Sequence, residues 1–131
     1  MEIQVKLSGK KQVTAHFAGY QVITDQPKED GGDATGPAPF DLFLASLATC
    51  AGFFVQSFCQ TRGISVEGIS IVQNSERDEK THLVSKVKIE ILLPSSFPEK
   101  YRASVIAAAN GCTVKKHLQS PPQLEVVTKI V

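Results

Sequence analysis

Three thiols, Cys50, Cys59 and Cys112, are the side chains with the most chemical scope in this chain of 131 residues. A cysteine thiolate is a nucleophile, a metal ligand and a redox group. Free cysteine is also among the most buried residue types, so a packing role stands against each chemical one. Spacing narrows the choice. There is no C-x-x-C, and Cys112 and His117 fall on different sides of any helix that holds both, so a metal signature is missing. Cys50 and Cys59 are nine residues apart, which puts them on opposite faces of one helix at 100° per residue. They cannot bond to each other within the chain, so any intrachain disulfide must use Cys112. An apolar mid-helix setting raises the pKa of Cys50 unless a cation stands near. Cys112 opens a short helix and is followed by Lys115 and Lys116, so spacing predicts Cys112 as the more acidic thiol. His16 and His82 fall on the polar faces of predicted strands and read as solvated groups. With no G-x-S-x-G, P-loop or H-E-x-x-H motif, no metal or cofactor is expected.

The elements that must position these thiols follow from periodicity. Residues Pro37 to Gly63, PAPFDLFLASLATCAGFFVQSFCQTRG, read as one long helix that is apolar on nearly all sides. Such a helix is normally buried. Phe40, Phe43, Leu44, Leu47, Ala51, Phe54, Val55 and Phe58 form its main stripe. Asp41 suits the dipole at its start, and Gly63 ends it. Ahead of it, Ile3-Val5-Leu7 and Val13-Ala15-Phe17 alternate with polar residues, giving two half-buried strands. A third runs from Tyr20 to Thr24. Residues 25–39 are a Gly- and Pro-rich acidic loop.

After the helix, Ile64 to Gln73 reads as a strand with a bulge at Gly68, and residues 74–80 as a charged turn. His82 to Ile91 is the clearest strand. Ser96 and Glu99 fit a capping box for a helix ending at Asn110-Gly111. A short helix from Cys112 to Leu118 and a last strand, Gln123 to Val131, complete the chain. The order βββ-α-ββ-αα-β predicts an α+β fold, with an antiparallel sheet of about six strands wrapped around the long central helix.

A chain of this length is expected to form a single domain, 1–131. Net charge is +1 with no basic block, so nucleic acid is not an expected partner. The N-terminus MEIQVKLSGKKQ lacks an apolar signal-peptide core. The longest apolar run, around Phe40 to Val55, is interrupted by Asp41, Ser46 and Thr49 and falls short of the ~20 residues of a membrane span. These features predict a cytoplasmic protein with no membrane partner. In a reducing compartment its cysteines would not form a disulfide framework.

Three stretches carry a resemblance to a known family. They are the loop GGDATGPAP, the segment PFDLFLASLATCAGF with Cys50 inside the helix, and NGCTVKKHL with Cys112. Together with the element order they resemble the family of osmotically inducible protein C and organic hydroperoxide resistance protein (OsmC/Ohr), in a P-x-D-L variant branch. The resemblance implies an OsmC-like domain in an intertwined homodimer, and a thiol-dependent peroxidase acting on organic hydroperoxides. Cys50 would match the peroxidatic cysteine and Cys112 the resolving one, joined as a disulfide in the oxidised state. Phe40, Phe43, Leu47 and Phe54 would line the substrate site. A dithiol or a lipoylated protein would be the reductant. Peroxidase members carry N-P-E-x-L at the helix start and an N-terminal arginine. Here Phe40 occupies the glutamate position and no arginine precedes Arg62. Lys10, Lys11, Lys28, His16 or a cation from the second subunit would have to replace that charge. The other reading is a non-catalytic OsmC-like dimer that binds an apolar ligand or senses oxidation.

Overall fold

Two tight turns shape the N-terminal segment into a meander. β1 (Gln4–Leu7), β2 (Val13–Phe17) and β3 (Tyr20–Thr24) pair antiparallel in that order, with Val5 opposite Ala15 and Phe17 opposite Tyr20. Only two residues, Ala18 and Gly19, connect β2 to β3. Both have positive φ, 47° and 80°, which matches the twist of a two-residue hairpin. The computed structural model describes residues 1–131, in two units, Met1–Ala45 and Ser46–Val131.

In the first unit the sequence expectation of half-buried strands needs correction for β1. Ile3, Val5 and Leu7 alternate as predicted, but all three are exposed. The acidic loop after β3 is ordered around one carboxylate. Asp25 is 2% exposed and accepts four hydrogen bonds. The Gln26 N–H donates to Oδ1 at 2.8 Å. The Asp33 and Thr35 N–H groups and the Thr35 hydroxyl donate to Oδ2 at 3.2, 3.1 and 2.7 Å. Gly32 is required there, since a Cβ at that position would stand 1.9 Å from the Gln26 carbonyl oxygen.

The donors around Asp25, the Thr35 hydroxyl first, hold its carboxyl down at about 2, against an ordinary value of 3.8. A depressed folded pKa contributes stability above the unfolded value, and that contribution is lost as pH falls from 3.8 to about 2. Asp25→Asn replaces an all-acceptor group by one that is half donor, facing donors. It is expected to lower the denaturation midpoint at neutral pH, with the gap from the parent protein narrowing across that acid window. Urea titrations of both proteins at several pH values check this. A gap that persists unchanged down to pH 2 contradicts it.

α1 spans Pro39–Thr61, 23 residues. Asp41 caps it, with Oδ2 accepting the Ala38 N–H at 3.0 Å. By length and composition alone α1 is long and apolar enough to cross a membrane, so the length argument made from residues 40–55 does not hold. Its burial is also narrower than periodicity implied. Leu47, Ala51, Val55, Phe58 and Cys59 are buried, while Phe40 and Phe53 are exposed.

The core of the second unit gathers Val55, Phe58 and Cys59 of α1 with Phe97 and Val105. Ile71 and Ile91 of the hairpin β4 (Ser70–Arg77) and β5 (Val84–Leu92) pack against it. Gly52 lets β4 approach closely, for a Cβ there would lie 3.4 Å from Ile71 Cδ1. β4 starts later than predicted and runs into the charged residues NSER. The irregularity lies at Glu76/Arg77, while Gly68, at φ 78°, belongs to a turn against Pro94.

The capping box is also corrected. A single 3-10 turn, Glu99–Tyr101, begins after Pro98 with no side-chain cap. Phe97 N–H bonds the Pro94 carbonyl at 2.9 Å and its ring is buried, so the chain turns to bury Phe97 before the helix starts. α2 (Arg102–Asn110) and α3 (Thr113–Gln119) follow. The strand predicted over Gln123 to Val131 is not formed. Those residues pair with nothing, and Leu124, Val126 and Ile130 are exposed. The sheets therefore hold five strands, three and two, rather than about six in one. The class, α+β with antiparallel pairing, is as predicted.

Candidate functional site

Cys50 and Cys112 meet in the second unit. Cys50 projects from the middle of α1, between the buried Leu47 and Ala51 and the half-buried Phe54. Cys112 immediately precedes α3 and is buried at 3% exposure. The two thiols are near enough to shift each other's ionisation, and all three cysteines are free thiols. The chain order explains the approach. Asn110-Gly111 ends α2, Cys112 has extended backbone (φ −48°, ψ 125°), and α3 starts at Thr113 with its first N–H groups unpaired within the helix.

Those N–H groups favour the thiolate of Cys50. Burial pushes the Cys50 thiol up, but the Val114 N–H, the Cys112 thiol and the Thr113 N–H all donate toward its sulfur. Their sum carries it below the ordinary 9.0. For Cys112 burial is again the largest effect and donation to Cys50 adds to it. The N–H groups of Lys115 and Val114 offset this only in part, so Cys112 is raised. The sequence expectation that Cys112 is the more acidic is thus overturned. The start of α3 serves the sulfur across from it more than its own capping residue. Hydrogen-bond donation lowers Cys50, in the place where a cation was expected. Lys10, one of the cations considered, donates to both carboxylate oxygens of Asp33 at 2.7 and 2.9 Å.

Cys59 is separate from this pair. It is 0% exposed inside the core cluster, and burial raises its pKa. Beside the pair lies a cavity of about 580 Å³. Leu47 and Ala51 of α1, Ile89 of β5, Ile106 of α2 and Leu118 of α3 contribute to its wall, together with Cys112. Of the four apolar residues expected to bind substrate, Leu47 lines this cavity and Phe54 does not. Phe40 and Phe43 belong to the first unit, where their rings stack at 5.4 Å. The remainder of the wall, from β5, α2 and α3, was not found from sequence. Its residues alternate or repeat like ordinary core positions and carry no distinguishing signal.

Comparisons with known proteins bear on the family and on the fold. The model of the OsmC-like protein family matches residues 31–127, a stretch that includes Cys50, Cys59 and Cys112. No curated protein matches the chain by sequence. Among solved structures, the chain is similar to one from Psychrobacter arcticus 273-4, provisionally named an osmotic stress induced and detoxification response protein. The identity is 23%, the TM-score 0.75, and the match covers 87% of this chain and 85% of that one. An OsmC-like protein from Mycoplasma pneumoniae matches at 16% identity and TM-score 0.71, over 92% and 87% of the two chains. The organic hydroperoxide resistance protein OhrB of Bacillus subtilis matches at 18% identity and TM-score 0.56, over 92% and 93%. These likenesses bear on the fold, and the family match extends over most of the sequence: the chain belongs to the OsmC-like protein family.

Proposed function

We propose that the protein is a thiol-dependent peroxidase that reduces organic hydroperoxides. The observation that carries this reading is the meeting of Cys50 of α1 with Cys112 at the start of α3, where the Val114 and Thr113 N–H groups and the Cys112 thiol draw the Cys50 pKa down. That pattern supplies a stabilised thiolate and, in contact with it, a second thiol that remains protonated. The Cys50 thiolate attacks the terminal peroxide oxygen. The O–O bond breaks, the alcohol leaves after taking a proton, and Cys50 becomes a sulfenic acid. Cys112 then attacks the Cys50 sulfur, water leaves, and a Cys50–Cys112 disulfide forms. A dithiol returns both to thiols.

Leu47 and Phe54 flank Cys50 one turn to either side and give the substrate's organic group an apolar contact. For Phe40 and Phe43 the proposal rests on helical spacing alone. The fold relatives named for organic hydroperoxide resistance, such as the B. subtilis protein, agree with this substrate class. The working form is a cytoplasmic homodimer built from one OsmC-like domain, 1–131. Support comes from the family match, which runs across both units, and from the uncovered apolar residues of β1 and the C-terminal segment.

The test is intact-mass and peptide analysis after one equivalent of cumene hydroperoxide. The expected product has lost two hydrogens and yields a single cross-linked peptide pair holding Cys50 and Cys112, with Cys59 still free. A cross-link through Cys59, or none, overturns the proposal.

A further inference from the structure

Between α2 and α3 the chain turns on Gly111 and Cys112. Gly111 has no side chain, and Cys112 makes no side-chain cap on α3. Neither residue braces the turn from within. Two backbone bonds close it on the α2 side. The Gly111 N–H donates to the Ala108 carbonyl at 3.0 Å, and the Cys112 N–H to the Ala109 carbonyl at 3.3 Å, long for such a bond. Neither reaches α3.

A side-chain bond does. The Lys115 ammonium, in the first turn of α3, donates to Asn110 Oδ1, on the last residue of α2, at 2.7 Å. The other charged groups in the cavity wall beside Cys112 pair within their own stretches of chain, Arg102 with Glu99 at 3.2 Å and Glu90 with Lys88 at 2.8 Å. Helix electrostatics accounts for the reach of Lys115. A cation in the first turn of a helix opposes the dipole, and α3 has no acidic residue there to offset it. A cation at a helix end is favourable, and α2 has no basic residue in its own last turn. Lys115 is therefore adverse for the helix that carries it and favourable for the helix it touches. Its backbone N–H also donates toward the Cys112 sulfur.

Resting on the peroxidase reading above, we propose that Asn110 and Lys115 are positioning residues, whose side-chain bond holds Cys112 and the start of α3 against Cys50. They touch neither the peroxide nor the reductant and act through the turn. With the turn braced, the Val114 and Thr113 N–H groups stay on the Cys50 sulfur while its thiolate attacks the peroxide. In the next step the Cys112 sulfur bonds to the sulfur of the Cys50 sulfenic acid, and hydroxide leaves with the Cys112 proton as water. That step is fast only if the two sulfurs are held at the approach it needs.

The experiment uses the full chain with Asn110→Leu, Lys115→Met and the two combined. After one equivalent of cumene hydroperoxide, dimedone trapping at timed intervals follows the sulfenic acid, and peptide mapping follows the Cys50–Cys112 disulfide. Each single variant is expected to slow disulfide formation about threefold, the scale of one hydrogen bond. The combined variant is expected to be no slower than either, because all three break the same bond. Asn110→Asp keeps an acceptor for the ammonium and is expected to keep the parent rate. Alkylation of Cys50 by iodoacetamide, followed against pH, is expected to level off at higher pH in the three bond-breaking variants, with the plateau unchanged. A general loss of stability moves neither this profile nor the lifetime of the sulfenic acid in the folded protein. Effects that multiply in the combined variant overturn the inference. So does a change in Lys115→Met that Asn110→Leu lacks, or parent behaviour in all three. Failure of the peroxidase reading is seen separately, as a parent protein that forms no Cys50–Cys112 disulfide. The alkylation profile, which needs no peroxide, then decides whether the brace acts on Cys50.

Discussion

Cys50→Ser is expected to reduce hydroperoxide consumption in the presence of a dithiol to the rate of peroxide and dithiol without protein. A serine hydroxyl in the same position is neither ionised nor an oxygen acceptor under these conditions. Loss of function should come without loss of fold, since Cys50 lies outside the core cluster. Cys112→Ser separates the two chemical steps. It should consume one equivalent of peroxide, accumulate a sulfenic acid that dimedone traps on Cys50, and then slow sharply. The pH profile of that first equivalent reports the thiolate. Because Cys50 lies below 9.0, the rate should rise with pH and level off below that value. Thr113→Pro removes one of the N–H donors at a helix position, the first, where proline is favoured. Cys112 already has the extended backbone that precedes proline. That variant should move the levelling-off to higher pH with little change in the plateau. Undiminished turnover in Cys50→Ser would remove Cys50 from the chemistry and, with it, the peroxidase reading. Oxidation of the parent protein once, without repeated turnover in the presence of a dithiol, would identify an oxidation sensor.

Phe58→Ala is expected to be the most damaging single truncation in the second unit. Phe58 is buried in the cluster with Val55, Cys59, Phe97 and Val105. Its ring meets Tyr101 edge-on at 5.9 Å between centroids, and the Arg62 guanidinium lies 3.7 Å above it. Removing the ring leaves a cavity and strands both partners. Truncations of this kind cost about 3–5 kcal/mol, equivalent to a fall in Tm on the order of 10–20 °C for a chain this size. Differential scanning calorimetry of the two proteins measures it. A shift under about 3 °C would show that this cluster is not the centre of the fold.

Much of the fold was legible because periodicity and turn chemistry are local. The Ala18-Gly19 turn, the long helix ending before Gly63, and the break at Asn110-Gly111 all lie where the residues put them. The failures share a different cause. Gln123 to Val131 alternates like a strand, but alternation describes faces and does not choose an edge to pair with. β1, β3, β4 and β5 each have an unpaired edge, and the segment lies against none of them as a strand. Ser96 and Glu99 have capping-box spacing, yet burying Phe97 displaced the start of the helix. Among the thiols, the sequence singled out Cys50 and Cys112, which the folded chain brings together, and set apart Cys59, which lies in the core cluster. It assigned the acidity to the wrong thiol because it credited α3 to its nearest neighbour in sequence. The N–H groups of Thr113 and Val114 act across space on Cys50, which only the folded chain reveals.

The sealing of Cys59 gives the molecule a built-in clock. Its thiol has no solvent access and stands among residues that separate only when the core does. In a background where Cys50 and Cys112 are both serine, a thiol reagent can label the chain only when the core around Cys59 opens. With labelling slow relative to reclosing, its rate divided by that of an unfolded peptide is the opening equilibrium constant itself. The core cysteine thus makes the free energy of that opening measurable under native conditions, without denaturant.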